Sequence, residues 1–341
     1  MPDPVSALPF AWGGPAGRGR IRIHPEDFVV IEETGLEAAG RGGYLLVRLE
    51  KRGLDTHDVA ARIAKIAGVK PQSVNWAGRK DRHAVTVQIF SLPLRGREPD
   101  LSVLDGGRIR VLEQTRHDRP LRPGDLEGNH FRLRVRKFQG DACKLAELLQ
   151  RIAAGGVPNY FGPQRFGRDG GNLERAAALF RGEAGRVGRQ ERGMWLSAAR
   201  ALLFNRVLAA RVEGSSWNSV LPGEMLQLTR GGALTPVFDP AAARAEVAGG
   251  RAWPTGPLWG RSGPVPEPRG EAAALEREAL AHDSFWKEGL ERFGLKRDRR
   301  ALGCAVEGLE WSLEKNELLL RFRLGAGSYA TSVLRELVET G

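Results

Sequence analysis

Hydrophobic and polar positions alternate early in the chain at Asp27–Glu33 and Tyr44–Glu50. Two strands are predicted there, and in the second Leu45, Val47 and Leu49 take every other position. The period then lengthens. Val59, Ile63 and Ile66 share one face of a helix over Thr56–Ala67, with Thr56 as its cap, Asp58 in its first turn and Gly68 as its stop. Val74–Trp76 is a short strand. Alternation returns at Val85, Val87 and Ile89, around Thr86 and Gln88, and again at Ile109 and Val111. The plainest strand runs through Phe131, Leu133 and Val135, interleaved with Arg132, Arg134 and Arg136. One face is core; the other carries three guanidiniums, either as an ordinary solvated face or as a surface for RNA. Leu145, Leu148, Leu149 and Ile152 then recur with helical spacing, ended by Gly155 and Gly156.

From Asn159 to about Arg300 the chain reads as helices joined by glycine-rich loops. Helices are predicted over Asn172–Phe180, Leu196–Val212 and Glu271–Phe293, the last containing Gly289 at some cost in stability. Gly249–Gly270, dense in Pro and Gly, reads as loop. Strand alternation resumes at Leu309–Leu313 and at Leu318, Leu320, Phe322 and Leu324, with a turn at Lys315–Glu317 between them. Residues 1–20 show little periodicity and read as a loose arm. Strands at both ends of a helical middle predict an α+β sheet domain with a second domain inserted into it.

Composition narrows the function. The chain has 341 residues, 41% hydrophobic and 27% charged, as a folded globular protein does. No apolar run approaches the roughly 20 residues that cross a bilayer, and no secretory leader is evident, so a cytoplasmic protein without a membrane partner is expected. Lys and Arg number 52 against 41 Asp and Glu, a net charge of +11. Only nine of the basic residues are Lys. Such an excess points to nucleic acid, with an incidental basic surface as the alternative. Cys143 and Cys304 lie in no CxxC and read as small buried hydrophobes, so neither a disulfide nor a metal site is expected. No P-loop, dinucleotide fingerprint, HExxH, GxSxG or EF-hand loop occurs. ATP hydrolysis, dinucleotide redox chemistry, zinc proteolysis and serine hydrolysis all lose ground.

What remains is the polar loop from Asn75 to Thr86, in which Asp81 sits among Arg79, Lys80, Arg82 and His83 between two strand patterns. It is either a solvated charged turn or a carboxylate held ionised by its neighbours, fit to act as nucleophile or base. The string AGRKDRHAVT (77–86) resembles the signature of the TruD-type tRNA pseudouridine synthases. PEDF (25–28), GDLEGNHF (124–131), VPNYFGPQRFGR (157–168), LSAARALLFN (196–205) and GAGSYATSVLREL (325–337) resemble that family too, and in its order.

The resemblance implies an α+β pseudouridine synthase catalytic domain with a mixed or antiparallel sheet, residues 1–154 and 302–341, interrupted by an inserted α/β TRUD domain, residues 155–301. It implies isomerisation of uridine to pseudouridine in tRNA, typically at position 13 in the D-stem, with no metal and no organic cofactor. No obligatory protein partner is inferred. The family's catalytic aspartate falls on Asp81, and its base and ribose contacts fall on Phe28, Asn129 and Tyr329. At residue 329 the family carries Phe, so the Tyr hydroxyl needs a partner. The target base must leave its stack to react. Arg22, just before PEDF, is the candidate cation for Asp81. Were the chain extended at residues 80–82, Lys80 and Arg82 would point away from Asp81, toward phosphates. Arg165 and Arg168 are the phosphate candidates of the middle segment, whose Tyr160, Phe161 and Phe166 read equally as core. The rival readings are a non-catalytic RNA-binding or chaperone protein of the same fold, and a structural protein with an incidental basic surface.

Overall fold

The computed structural model describes residues 4–37, 39–94, 96 and 98–340. One compact unit holds Gly17–Asp141, Glu307–Gly327 and the chain from Val338; the other holds Ala142–Val306, Ser328–Leu337 and the chain up to Ala16. These cuts fall elsewhere than at the expected boundaries, 154/155 and 301/302.

In the first unit, Gly17–Arg20, expected within a loose arm, is a strand (β1). Phe28–Thr34 (β2) and Tyr44–Arg52 (β3) follow the predicted alternation. Helix α1 spans Thr56–Ala67 as expected, but its cap is Asp55, whose carboxylate accepts the His57 N–H, and Gly68 ends it at φ 64°. Thr56 is thereby left for another task. Asn75–Trp76 (β4), Val85–Pro93 (β5) and Ile109–His117 (β6) come next. Along β5 the polar positions are buried as completely as the apolar ones: Thr86, Gln88 and Ser91 have no exposed surface. Leu126–Gly140 (β7) alternates as predicted, yet its arginines are not a free row. Arg136 pairs with Asp27 and Glu317, Arg134 pairs with Glu317, and Arg132 is exposed.

The second unit begins with α2, Ala142–Gly155, which buries Leu145, Leu148, Leu149 and Ile152. Cys143, expected to be buried, is exposed on it; Cys304 is buried. The chain continues through Val157–Pro158 (β8), Pro163–Phe166 (α3), Gly171–Arg181 (α4) and Arg189–Glu213 (α5). Met225–Leu228 (β9), Leu234–Pro236 (β10), Pro240–Ala248 (α6) and Ala252–Leu258 (β11) follow. After them come Gly270–Ala279 (α7), Ser284–Arg292 (α8), Asp298–Ala301 (β12) and Gly303–Cys304 (β13). Strand β11 lies where a loop was predicted. It pairs with β9 through Ala252–Pro254 and with β12 through Thr255–Leu258, and a side chain at its Gly256 would press on Phe204 of α5. The single helix predicted over Glu271–Phe293 is two, α7 and α8. The break holds Asp283, whose buried carboxylate accepts from Arg206.

Glu307–Glu314 (β14) and Glu317–Gly325 (β15) close a hairpin on Lys315 and Asn316. Both have positive φ (47° and 65°), as a two-residue turn matched to strand twist requires. Ala330–Leu337 (α9) precedes Val338–Thr340 (β16). Within the second unit, α9 supplies the reason residues 8–12 are ordered. Glu336 accepts the N–H groups of Ala11 and Trp12, and Arg335 donates to the carbonyls of Leu8 and Pro9. The first unit's sheet runs β14-β15-β7-β2-β5-β3-β6, with β1 and β16 beyond β7 and β4 beside β5. It is mixed: β2 and β5 are parallel, as are β1 and β16, among antiparallel neighbours. The α+β class is as expected.

Candidate active site

Asp81 stands on the loop between β4 and β5. Its Oδ2 receives Arg22 Nη2 at 2.6 Å, with both side chains partly exposed. Arg22 lies between β1 and β2 at φ 57°, a region a β-carbon disfavours, so the surrounding structure must hold it there. Its guanidinium lies over the Phe28 ring, 4.1 Å from the centroid. Phe28, the first residue of β2, is 3% exposed and meets Phe131 edge-on at 6.3 Å. Three residues named from the sequence thus form one assembly in which Phe28 backs the cation and the cation grips Asp81. The turn that aims Phe28 is itself tied down. Asp27 accepts the His24 N–H at 2.9 Å and both prongs of Arg136. Burial alone would raise the Asp27 pKa, but those bonds hold it below the usual carboxylate value.

Lys80 does not point toward phosphate. Residues 80–82 lie outside β4 and β5, so no strand register fixes where their side chains point. The Lys80 ammonium is buried, 2.8 Å from Glu32 Oε2 and donating to Asn129 Oδ1 at 2.6 Å. Asn129, on β7, is 8% exposed. Burial pushes the Glu32 carboxyl up, and Lys80 offsets this only in part. Arg82 is exposed on the loop.

The remaining expected residues belong to the second unit. Tyr329 has the hydroxyl partner it needs: it accepts Arg165 Nη2 at 2.9 Å, while Arg165 Nη1 donates to Ser197 Oγ at 2.9 Å. Arg168 is exposed in the turn after α3. Tyr160, Phe161 and Phe166 are buried core. A depression of about 390 Å³ in the first unit, lined by Glu33, Arg48, Glu113 and His130 among others, contains none of the expected residues. Among the described residues no cluster of three or more His, Cys, Asp or Glu side chains is placed to hold a metal ion, and no helix is long and apolar enough to cross a membrane.

A statistical model of the family described as tRNA pseudouridine synthase D (TruD) matches residues 5–186 and 172–337. The chain belongs to that family. Among its relatives, tRNA pseudouridine synthase D of Methylococcus capsulatus is 48% identical over 97% of this chain and 94% of the relative. That of Nitrosococcus oceani is 45% identical over 99% and 96%. The crystal structure of the putative tRNA pseudouridine synthase D from Methanosarcina mazei superposes with a TM-score of 0.73 at 24% identity, covering 97% of this chain and 95% of that one; the likeness is one of fold. TruD membership makes this an enzyme of the tRNA-modifying isomerase class, and the class expected from its motifs is the class found.

Several polar residues of this TruD chain with inward-facing side chains were not singled out from the sequence. Lys51 of β3, Thr56 of α1 and Gln88 of β5 are all fully buried polar groups around the Asp81 loop. In the second unit the part-buried Arg300 lies over Phe161, at 4.1 Å, and is bonded to Asn159 Oδ1 at 2.7 Å; desolvation pushes its guanidinium down to about 10. The available signal was phase: Lys51 continues the row of Leu45, Val47 and Leu49, and Gln88 shares a row with Phe90 and Leu92. The two-residue alternation turns such a side chain inward, where it has to find its partners.

Proposed function

We propose that this protein isomerises uridine to pseudouridine in tRNA, at position 13 in the D-stem, with Asp81 as the reacting carboxylate. The observation that carries the reading is the Arg22–Asp81 pair, a carboxylate met by the Arg22 guanidinium at 2.6 Å and still reachable from solvent. The C1′–N1 bond of the target uridine breaks, the uracil turns, and a C1′–C5 bond forms; the proton leaving C5 is matched by one gained at N1. Nothing is oxidised or reduced. Asp81 either attacks C1′ or removes a ribose proton to give a glycal, and both routes use the same geometry. The base has to be extruded from its stack at a cost of a few kcal/mol. Phe28 supports Arg22 beneath the site, and Asn129 offers an amide to the base edge. Exposed Arg82 and Arg168 contact phosphate, and Arg165 holds the Tyr329 hydroxyl. The natural setting is the cytoplasm, where tRNA matures. Release of tritium from tRNA labelled at C5 of uridine tests the reaction directly, because that proton must leave. Steady release with label recovered as pseudouridine at position 13 supports the reading. Tight tRNA binding without release supports the non-catalytic rival.

A further inference from the structure

The Asp81 loop carries backbone polar groups that the sheet ladder does not satisfy, and three side chains from three different elements reach them. Gln88 of β5 donates from Nε2 to the Gly78 carbonyl at 2.6 Å. Thr56 of α1 accepts the Lys80 N–H at 3.1 Å and donates its own hydroxyl proton to Gln88 Oε1 at 3.2 Å. Lys51 of β3 donates to the Leu54 carbonyl at 2.8 Å and to the Asp81 carbonyl at 3.3 Å. All three side chains are fully buried, and a polar residue is placed there at a cost unless its bonds are made.

We infer that Lys51, Thr56 and Gln88 form a buried cradle that positions the Asp81 backbone, so that its carboxylate meets Arg22 and the ribose in reactive geometry. The inference rests on the functional reading of Asp81. None of the three is a catalytic residue, since each acts on the loop's main chain. The bonds are linked in series, Gly78 to Gln88 to Thr56 to Lys80, with Lys51 fastening the next residue. One loosened link therefore shifts the carboxylate. The ammonium is the charge-assisted member. Burial pushes Lys51 down to about 8, with Asp55 and Asp81 opposing that and Lys80 adding to it. Thr56 is also why α1 is capped by Asp55: the hydroxyl is already spent on the loop.

The test measures kcat, KM and tRNA affinity for the wild type, Asp81→Asn, Thr56→Val, Thr56→Ser and Lys51→Met, with thermal unfolding of each. A displacement of about 1 Å in a reacting group costs on the order of 100-fold in rate. Thr56→Val and Lys51→Met are expected to lose that order of kcat while KM and affinity stay within about twofold, and Thr56→Ser, which restores the hydroxyl, is expected to recover most of it. If Lys51→Met does not fold, the Thr56 pair decides. Folded Thr56→Val with wild-type kcat overturns the inference. So does Thr56→Ser as slow as Thr56→Val, which would make the methyl contact and not the hydroxyl responsible. A wild type that forms no pseudouridine overturns the functional reading as well, whereas an active wild type silenced by Asp81→Asn leaves that reading standing whatever the cradle variants do.

Discussion

Arg22 performs two tasks with one side chain, gripping Asp81 and stacking on Phe28, and it does so from a left-handed backbone. Arg22→Ala keeps the phosphate-facing surface and removes both the grip on Asp81 and the contact with Phe28. Turnover is expected to fall on the order of 100-fold, as when a charged donor to a reacting group is lost, while tRNA affinity by filter binding changes little. An unchanged single-turnover rate would remove Arg22 from the mechanism. Lys51 makes a separate prediction about stability. Its folded pKa, about 8, lies below the 10.5 of a free lysine, so between those values the unfolded chain binds a proton that the folded chain does not. This group's contribution to stability therefore rises with pH across that window. The stability advantage of Lys51→Met over wild type, or its deficit, should shift in the wild type's favour between pH 7 and 9.5 in urea titrations. At this scale the sequence was most informative where a motif carries chemistry: Asp81, Arg22 and Phe28 were named from it and are found together. Lys80 was misassigned to phosphate because its partners, Glu32 of β2 and Asn129 of β7, are distant from it in the sequence.

Elements that follow one clear period were legible: β2, β3, α1, β7 and α2 lie within a few residues of where their patterns put them. Those that failed share a cause, tertiary packing that overrides local preference. Strand β11 keeps its two prolines because it changes partner midway, from β9 to β12, and Gly256 within it lets α5 approach. The α7–α8 break answers to Asp283 and Arg206, which no local signal connects. Gly289 in α8 illustrates the contest of magnitudes. Replacing a helical Gly by Ala gains about 1 kcal/mol in propensity, but a Cβ here would lie 2.3 Å from Phe180 Cδ2. Overpacking of that kind costs about 1–3 kcal/mol. Gly289→Ala should therefore lower the urea midpoint, and a raised midpoint would show that the Phe180 ring gives way.

For the molecule as a whole, a net charge of +11 spread over 341 residues means that phosphate contacts dominate any encounter with RNA. Affinity for tRNA should fall by an order of magnitude or more between about 50 and 200 mM salt. Affinity flat over that range would argue that the basic surface is incidental. Charge pointed to nucleic acid, and ordered motifs pointed to the family, yet neither could locate the buried polar groups behind Asp81, because their partners are main-chain atoms set by the fold. The most direct measurement is to incubate unmodified tRNA transcript with wild type and with Asp81→Asn and to map pseudouridine by chemical adduct and primer-extension stops. The account predicts a D-stem stop with wild type and none with Asp81→Asn at undiminished tRNA binding. A stop of equal strength with both proteins would contradict it.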